Sequence, residues 1–463
     1  MLRRPLVLMI LGFLLLAGAG GLARSGIGKG HASPPKYPCG LQACRATQTK
    51  VPLRGYEGAY VAADPRAPDH VVVTDTDLLA AKCGWHTTFD NGRTWTDGAF
   101  TLPPGFTGCR INPPSGGHVA SGSVAIGAYG TVYSVFGSAR DVDVGRESVL
   151  VATSLDGGRT FLPARVAVAP PQPDVGLARP LMTLARGPAG KDALLLSFWS
   201  CHGTAEGTAC DRALFARSDD AGTTFSPPVM VNKPPGGQNP SQPAVGPDGT
   251  IYESFQRRFT NKPVDLLLAQ SPDGGRTFSE SPIDSANNLG VQYDPAKLVV
   301  DPKSGALYSV WSDSRAGSEQ IFFRKSTNKG ATWSEAALLS PDPKVTGSSR
   351  SPSISVAPDG RIDVVYYHTP PEQPNFDDVY LESSSDAGAT FKVHQVNPKP
   401  IDRSLGYSGP ASSLRLVGNH YPPTVSSLDT TAYVVWSDTV NATALTQTQD
   451  AEFRTIVFGA TAP

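Results

Sequence analysis

The stretch SPDGGRTF, Ser271–Phe278, decides how this chain is read, because five relatives of it stand elsewhere: TFDNGRTW from Thr88, SLDGGRTF from Ser154, SDDAGTTF from Ser218, STNKGATW from Ser326 and SSDAGATF from Ser384. Together they define Ser/Thr-x-Asp/Asn-x-Gly-x-Thr-Phe/Trp, recurring at intervals of 53 to 66 residues. A period of that size marks a repeated supersecondary unit rather than a single site. Each octamer holds the parts of a turn. Asp90, Asp156, Asp220, Asp273, Asn328 or Asp386 can accept backbone amides, glycine supplies a positive φ, and the aromatic plugs the space beneath. The side chains are consumed locally, so the octamers are expected to be scaffold, with function carried elsewhere.

Around each turn the same four-strand pattern recurs. In the fifth unit it runs PAKLVVDP, ALYSVWSD, EQIFFRKS, the octamer, and WSEAALLS. Short β-rich runs bounded by Gly, Pro, Asp and Asn read as meandering antiparallel strands. Four strands per unit, closed radially, make an all-β propeller of four-stranded blades. After the last octamer, PPTVSSLDTTAYVVWSD supplies two more strands and DAEFRTIVFGA a third, and ATQTKVPL, Ala46–Leu53, fills the vacant fourth place. The expected count is therefore seven blades over residues 46–463, with both chain ends in one blade, and six blades as the alternative.

Lysine plus arginine is 40 and aspartate plus glutamate 41, a net charge of -1, which leaves no electrostatic footprint for nucleic acid. With 47 glycines and 42 prolines in 463 residues, tight turns dominate over long amphipathic helices. The N-terminus, MLRRPLVLMILGFLLLAGAGGLARSG, sets Arg3 and Arg4 before an apolar run that ends in small residues. Residues 1–23 thus read as a secretory signal cut after Ala23, or as an anchor over Leu6–Leu22 that associates the chain with a membrane. Residues 24–45 read as a flexible linker, and the mature protein as a secreted or cell-surface monomer.

Export makes the six cysteines candidates for disulfides, for which fifteen pairings exist. Sequence proximity suggests Cys39 with Cys44, Cys83 with Cys109, and Cys201 with Cys210. No Cys-x-x-Cys spacing points to zinc, and His118, His202, His368 and His420 come from separate units without a recurring ligand motif. Neither a metal nor a cofactor is expected.

The octamers resemble Asp-boxes, and the chain after Cys44 resembles the BNR-repeat, sialidase-like propeller superfamily. That resemblance implies a site on the face opposite the octamers, where second strands end and blades are linked. Arg179, Arg257, Arg315, Arg350, Asp313, His202, His368 and His420 are the expected ligand-binding residues there. A sialidase needs an arginine cluster for the substrate carboxylate, a tyrosine nucleophile and carboxylates that activate it and act as acid/base. Tyr407, in SLGYSGPASSL, resembles the family's nucleophile context, with Glu57 and Asp294 as accompanying carboxylates. The family's Phe/Tyr-Arg-Ile-Pro motif before the first box is missing; its echo, RINP at Arg110–Pro113, comes after it. The incomplete set ranks binding of a glycan or another extracellular ligand first, exo-sialidase activity through Tyr407 second, and a non-catalytic interaction scaffold third.

Overall fold

In the computed structural model the chain is almost wholly β, with two single-turn 3-10 segments, Pro188–Gly190 and Arg403–Leu405, among the described residues. Those residues are 49–50, 56–77, 82–106, 108–109, 111–112, 117–118, 121–139, 147–171, 175–204, 207–233, 237–238, 240–257, 264–286, 296–341, 344, 346–405, 422–439 and 450–457. The compact unit runs over Cys39–Pro463. The expected leader and linker, Cys39 and Cys44 lie outside the described residues.

Six blades are each cut from one continuous stretch of chain, and their strands pair in simple antiparallel order from axis to rim. Blade 1 comprises Tyr56–Asp64, Ala67–Asp77, Lys82–Thr88 and Thr96–Ala99. Blade 2 comprises Ser121–Ile126, Val132–Ala139, Glu147–Ser154 and Arg165–Val168. Blade 3 comprises Val175–Arg186, Asp192–Thr204, Gly207–Ser218 and Val229–Met230. In blade 4 the inner strand is split into Gly237–Gln238 and Ala244–Val245, followed by Ile251–Arg257, Val264–Ser271 and Ser279–Ala286. Blade 5 runs Lys297–Val300, Leu307–Asp313, Gln320–Ser326 and Ala337–Leu339. Blade 6 runs Ser348–Val356, Ile362–Thr369, Phe376–Ser384 and Lys392–Gln395.

A further four-stranded sheet is shared by the two chain ends: Thr424–Leu428, Thr431–Asp438 and Asp450–Val457 are completed by Thr49–Lys50, with Thr49 opposite Phe453. It packs on both neighbours. Val425 and Val434 join Val365 and Leu381 of blade 6 in one core cluster, and Tyr433 and Val435 join Val71 and Val73 of blade 1 in another. The fold matches the six-blade alternative and not the expected seven: each of the six blades is one continuous stretch, whereas this sheet is assembled from both chain ends.

The octamers explain how neighbouring blades hold each other. In the fourth copy Ser271 Oγ donates to Asp273 Oδ1 (2.7 Å) and accepts the Gly275 amide (2.8 Å). The Thr277 amide and hydroxyl donate to the two oxygens of Asp273, at 3.0 and 2.6 Å. The other four aspartate copies repeat this pattern. In the fifth the last bond reverses, with Asn328 Nδ2 donating to Thr332 Oγ1 at 2.8 Å. These donors hold Asp273 and Asp386 well below the usual carboxylate range, chiefly through the Thr277 and Thr390 hydroxyls.

Positions four and five of every octamer are left-handed, yet only position five is always glycine. Position four tolerates Asn91, Ala221, Lys329 and Ala387 at φ of 56 to 59°. At position five space is the second constraint: a Cβ on Gly275 would lie 2.1 Å from the Phe215 ring of blade 3, and one on Gly330 would lie 2.2 Å from Leu268 of blade 4. The aromatic at position eight enters the same seam, as Phe278 does beside Phe215 with ring centroids 5.4 Å apart.

Gly275→Val should therefore cost about 3 kcal/mol or more, from left-handed strain plus overlap with Phe215. Gly274→Ala, at φ +76° with only Arg217 Nη1 within reach, should cost about 1 kcal/mol. Denaturant unfolding of the two variants checks this; equal losses would mean that the seam contact contributes nothing.

Candidate functional site

The inner strand of each blade stands at the end of its sheet, so one row of its backbone N–H and C=O groups faces the axis. Around that axis lies a cavity of about 440 Å³, lined from every blade and from the shared sheet. Its polar side chains include Ser123, Thr183, Gln242, Ser353, Ser355 and Ser426, and among the described residues lining it Lys297 is the one that is charged. Gln242 Nε2 donates to the Met182 carbonyl (2.7 Å) and to Thr183 Oγ1 (3.1 Å), tying blade 4 to blade 3 at the rim of the cavity.

The inner strands reach this position through bulges. Register shifts fall between Glu57 and Tyr60, Ser121 and Val124, Ala178 and Leu181, and Arg350 and Ser353. In blades 3 and 6 the bulge puts a non-glycine residue before proline into the left-handed region, Arg179 at φ 50° and Ser351 at φ 55°. Arg179 and Arg350 therefore do not occupy equivalent places: Arg179 corresponds to Ser351. Arg179 lies 5.3 Å from the Trp199 ring.

The other expected arginines are engaged by carboxylates. Arg257 Nη2 donates to both oxygens of Glu280 at 2.8 and 2.9 Å. Arg315 Nε donates to Asp313 Oδ2 at 2.7 Å and Nη1 to Asp284 Oδ2 at 3.2 Å. Asp313 is fully buried and also accepts the Trp311 indole at 2.9 Å, a pairing that Trp436 and Asp438 repeat at 3.2 Å in the shared sheet. Arg350 is buried, donating to Asp377 and, at 2.6 Å, to Thr369 Oγ1. Next to it His368 Nδ1 is 2.9 Å from Ser349 Oγ. None of these four arginines lines the axial cavity.

One residue that sequence reasoning missed joins the blade 6 network: Arg403 Nε stands 3.4 Å from the Asp377 carboxylate that also holds Arg350. Two guanidiniums thus meet at one carboxylate. The sequence signal was its position in IDRSLGY, four residues before Tyr407. Tyr407, Asp294 and His420, and the side chains of Glu57 and His202, lie outside what the structure describes. A tyrosine–glutamate pair does occur, Tyr366 donating to Glu382, whose carboxyl burial pushes up to about 7. Both side chains are sealed in blade 6, away from the cavity lining.

Two expected disulfides are formed, Cys83–Cys109 and Cys201–Cys210, the latter bridging the paired strands of blade 3 next to His202. Among the described residues no group of three or more His, Cys, Asp or Glu is placed to hold a metal ion, and no helix is long and apolar enough to cross a membrane.

No protein-family model and no curated protein matches this chain. Solved structures do. A protein of unknown function from Dyadobacter fermentans aligns with a TM-score of 0.51 and 16% identity, over 77% of this chain and 97% of its own. An ulvan lyase of polysaccharide lyase family 25 aligns with a TM-score of 0.49 and 12% identity, over 89% and 94%. A Hadza microbial sialidase aligns with a TM-score of 0.47 and 17% identity, over 84% and 76%. At these identities the likeness is one of fold.

Across its second, third and fourth strands blade 1 brings together buried Asp75 and His86 and exposed Asp97. His86 Nδ1 lies 2.8 Å from Asp97 Oδ1, and Nε2 lies 3.5 Å from Asp75 Oδ2. Burial alone would lower the imidazole, but Asp75 and Asp97 outweigh it and raise it from 6.5 to about 9. The stabilisation is thus complete below pH 6.5 and is lost as pH rises through about 9. Unfolding free energy measured from pH 6 to 10 should fall across this window, and His86→Gln should flatten the fall; an unchanged slope in that variant would assign the loss to other groups.

Proposed function

We propose that this protein is a secreted propeller that binds a glycan or another extracellular ligand in its axial cavity. The observation that carries the reading is the cavity itself: about 440 Å³, within the usual range for small-ligand sites, bounded by backbone edges, hydroxyls, one amide and one ammonium. Such a wall offers donors and acceptors in number and little charge, which suits the hydroxyls of a sugar. The two disulfides agree with an oxidising, extracytoplasmic setting. Three of the arginines expected to clamp an acidic sugar are engaged by carboxylates, Arg257 by Glu280, Arg315 by Asp313 and Asp284, and Arg350 by Asp377.

One observation favours a second reading, exo-sialidase activity with Tyr407 as nucleophile and Glu57 and Asp294 as its carboxylates. Arg350 and Arg403 converge on Asp377 just before the segment that holds Tyr407, which gathers two guanidiniums of the kind that recognise a carboxylate.

A glycan array on the mature chain separates the two. Under the binding reading Gln242→Ala weakens neutral and acidic glycans alike by about 1 kcal/mol, and Lys297→Gln weakens only the acidic ones. A fluorogenic sialoside is left uncleaved. Turnover of that sialoside, abolished by Tyr407→Phe, would replace the binding reading with hydrolysis.

A further inference from the structure

Three turns between inner and second strands share one frame: GAYGT at 127–131, GPDGT at 246–250 and APDGR at 357–361. Their backbones are alike. In each the first residue's amide donates to the fifth residue's carbonyl at 2.8 or 2.9 Å, and the fourth residue is a glycine, at φ 82 to 99°, whose amide returns to the first carbonyl. In blades 4 and 6 the third residue finishes the turn: Asp248 Oδ1 accepts the Thr250 amide at 3.1 Å, and Asp359 Oδ1 accepts that of Arg361 at 3.0 Å. Blade 2 has Tyr129 there, which cannot accept in this way. The residue is 77% exposed. The substitution gives up a local hydrogen bond and puts an aromatic in water, and neither change helps the turn.

What Tyr129 does border is a cavity of about 260 Å³ on the octamer side of the ring, between blades 2 and 3. Thr131, Tyr133, Gly190, Lys191 and Asp192 also line it. Asp192 is buried at its base and held in place, one oxygen 3.2 Å from the Tyr133 hydroxyl and the other 3.2 Å from the Ala128 amide. The wall from blade 3 is turned by Ala189 at φ 55° and Gly190 at φ 74°.

We propose that this cavity is a second, independent binding site, which takes a single neutral sugar ring stacked on Tyr129. The cavity is smaller than the roughly 300–1,000 Å³ typical of drug-sized ligands, which fits one ring rather than a chain. An exposed aromatic face covers the apolar side of a pyranose, while Thr131, Lys191 and Asp192 supply a hydroxyl, a donor and an acceptor for its hydroxyls. Charge argues against other ligands. Lys191 opposes a basic side chain, and Asp192 with Asp220 opposes an anion.

The test is saturation-transfer NMR on the mature chain with methyl glycosides of glucose, galactose, mannose and N-acetylglucosamine. Transfer to the ring protons of at least one is expected, with affinity reduced about tenfold or more in Tyr129→Asp. That variant restores the aspartate acceptor that blades 4 and 6 carry at the third position, so its melting temperature should equal or exceed that of the wild type. Gln242→Ala, in the axial cavity, should leave the tyrosine-dependent signal unchanged, which separates this site from the axial one. The proposal is overturned by absence of transfer in the wild type, by equal transfer in Tyr129→Asp, or by tyrosine-dependent binding of an oligolysine peptide in place of the sugars.

Discussion

The contact on which this structure depends is that between a glycine of one blade and the third strand of the blade before it. Gly275 sits on Phe215, Gly330 on Leu268, and Gly388 on Phe323, each so closely that a methyl group would overlap. The Ser–Asp–Thr hydrogen bonds of the octamer are the means by which the chain is turned to deliver that glycine, and the aromatic three residues later fills the same seam. A propeller blade cannot bury both its faces alone, so stability has to come from its neighbours. The octamer converts a local turn into an inter-blade joint. That is why it recurs while almost everything else in the repeat drifts.

The same geometry divides the molecule into regions with different work. Octamers and inner turns lie at one end of the blades, and seams take nearly all the apolar burial. The axis is left with strand edges and short polar side chains. Charge is handled between these regions: arginines at the strand ends are matched with carboxylates of the same or adjacent blade, as in Arg315 with Asp313 and Asp284. Such partly buried pairs fix loop geometry more than they add net stability.

What could be read in the sequence was what interactions of short range determine. The octamer bonds span four residues or fewer, so six copies disclosed six turns, and the alternating runs around them disclosed the strands. Cys201 and Cys210 face each other across one hairpin, so proximity sufficed. The composite sheet followed from counting strands at the two ends. The site was less legible because its partners are distant. Arg350 finds Asp377 across 27 residues and Arg403 reaches the same carboxylate from beyond the next strand. The inner-strand bulges shift register at residues that carry no pattern of their own, so the sequence did not show that Arg179 corresponds to Ser351 and not to Arg350. Tyr129 was legible in principle. Aligning the inner turns, as the octamers were aligned, isolates it at once.

This difference bears on how function is inferred for a repeated fold. In a repeat, residues that recur report what every unit needs to pack, and the exceptions report what one unit does differently. Asn328 is an exception that keeps the turn, since its amide and carbonyl reproduce the aspartate's contacts with one bond reversed. Tyr129 is an exception that lacks the acceptor Asp248 and Asp359 supply to their turns and that stands exposed. Glu382 and Tyr366 have the chemistry of a hydrolase pair but the burial of a seam. Chemical type alone would rank the buried pair first; access to ligand and the local stability given up rank Tyr129 first.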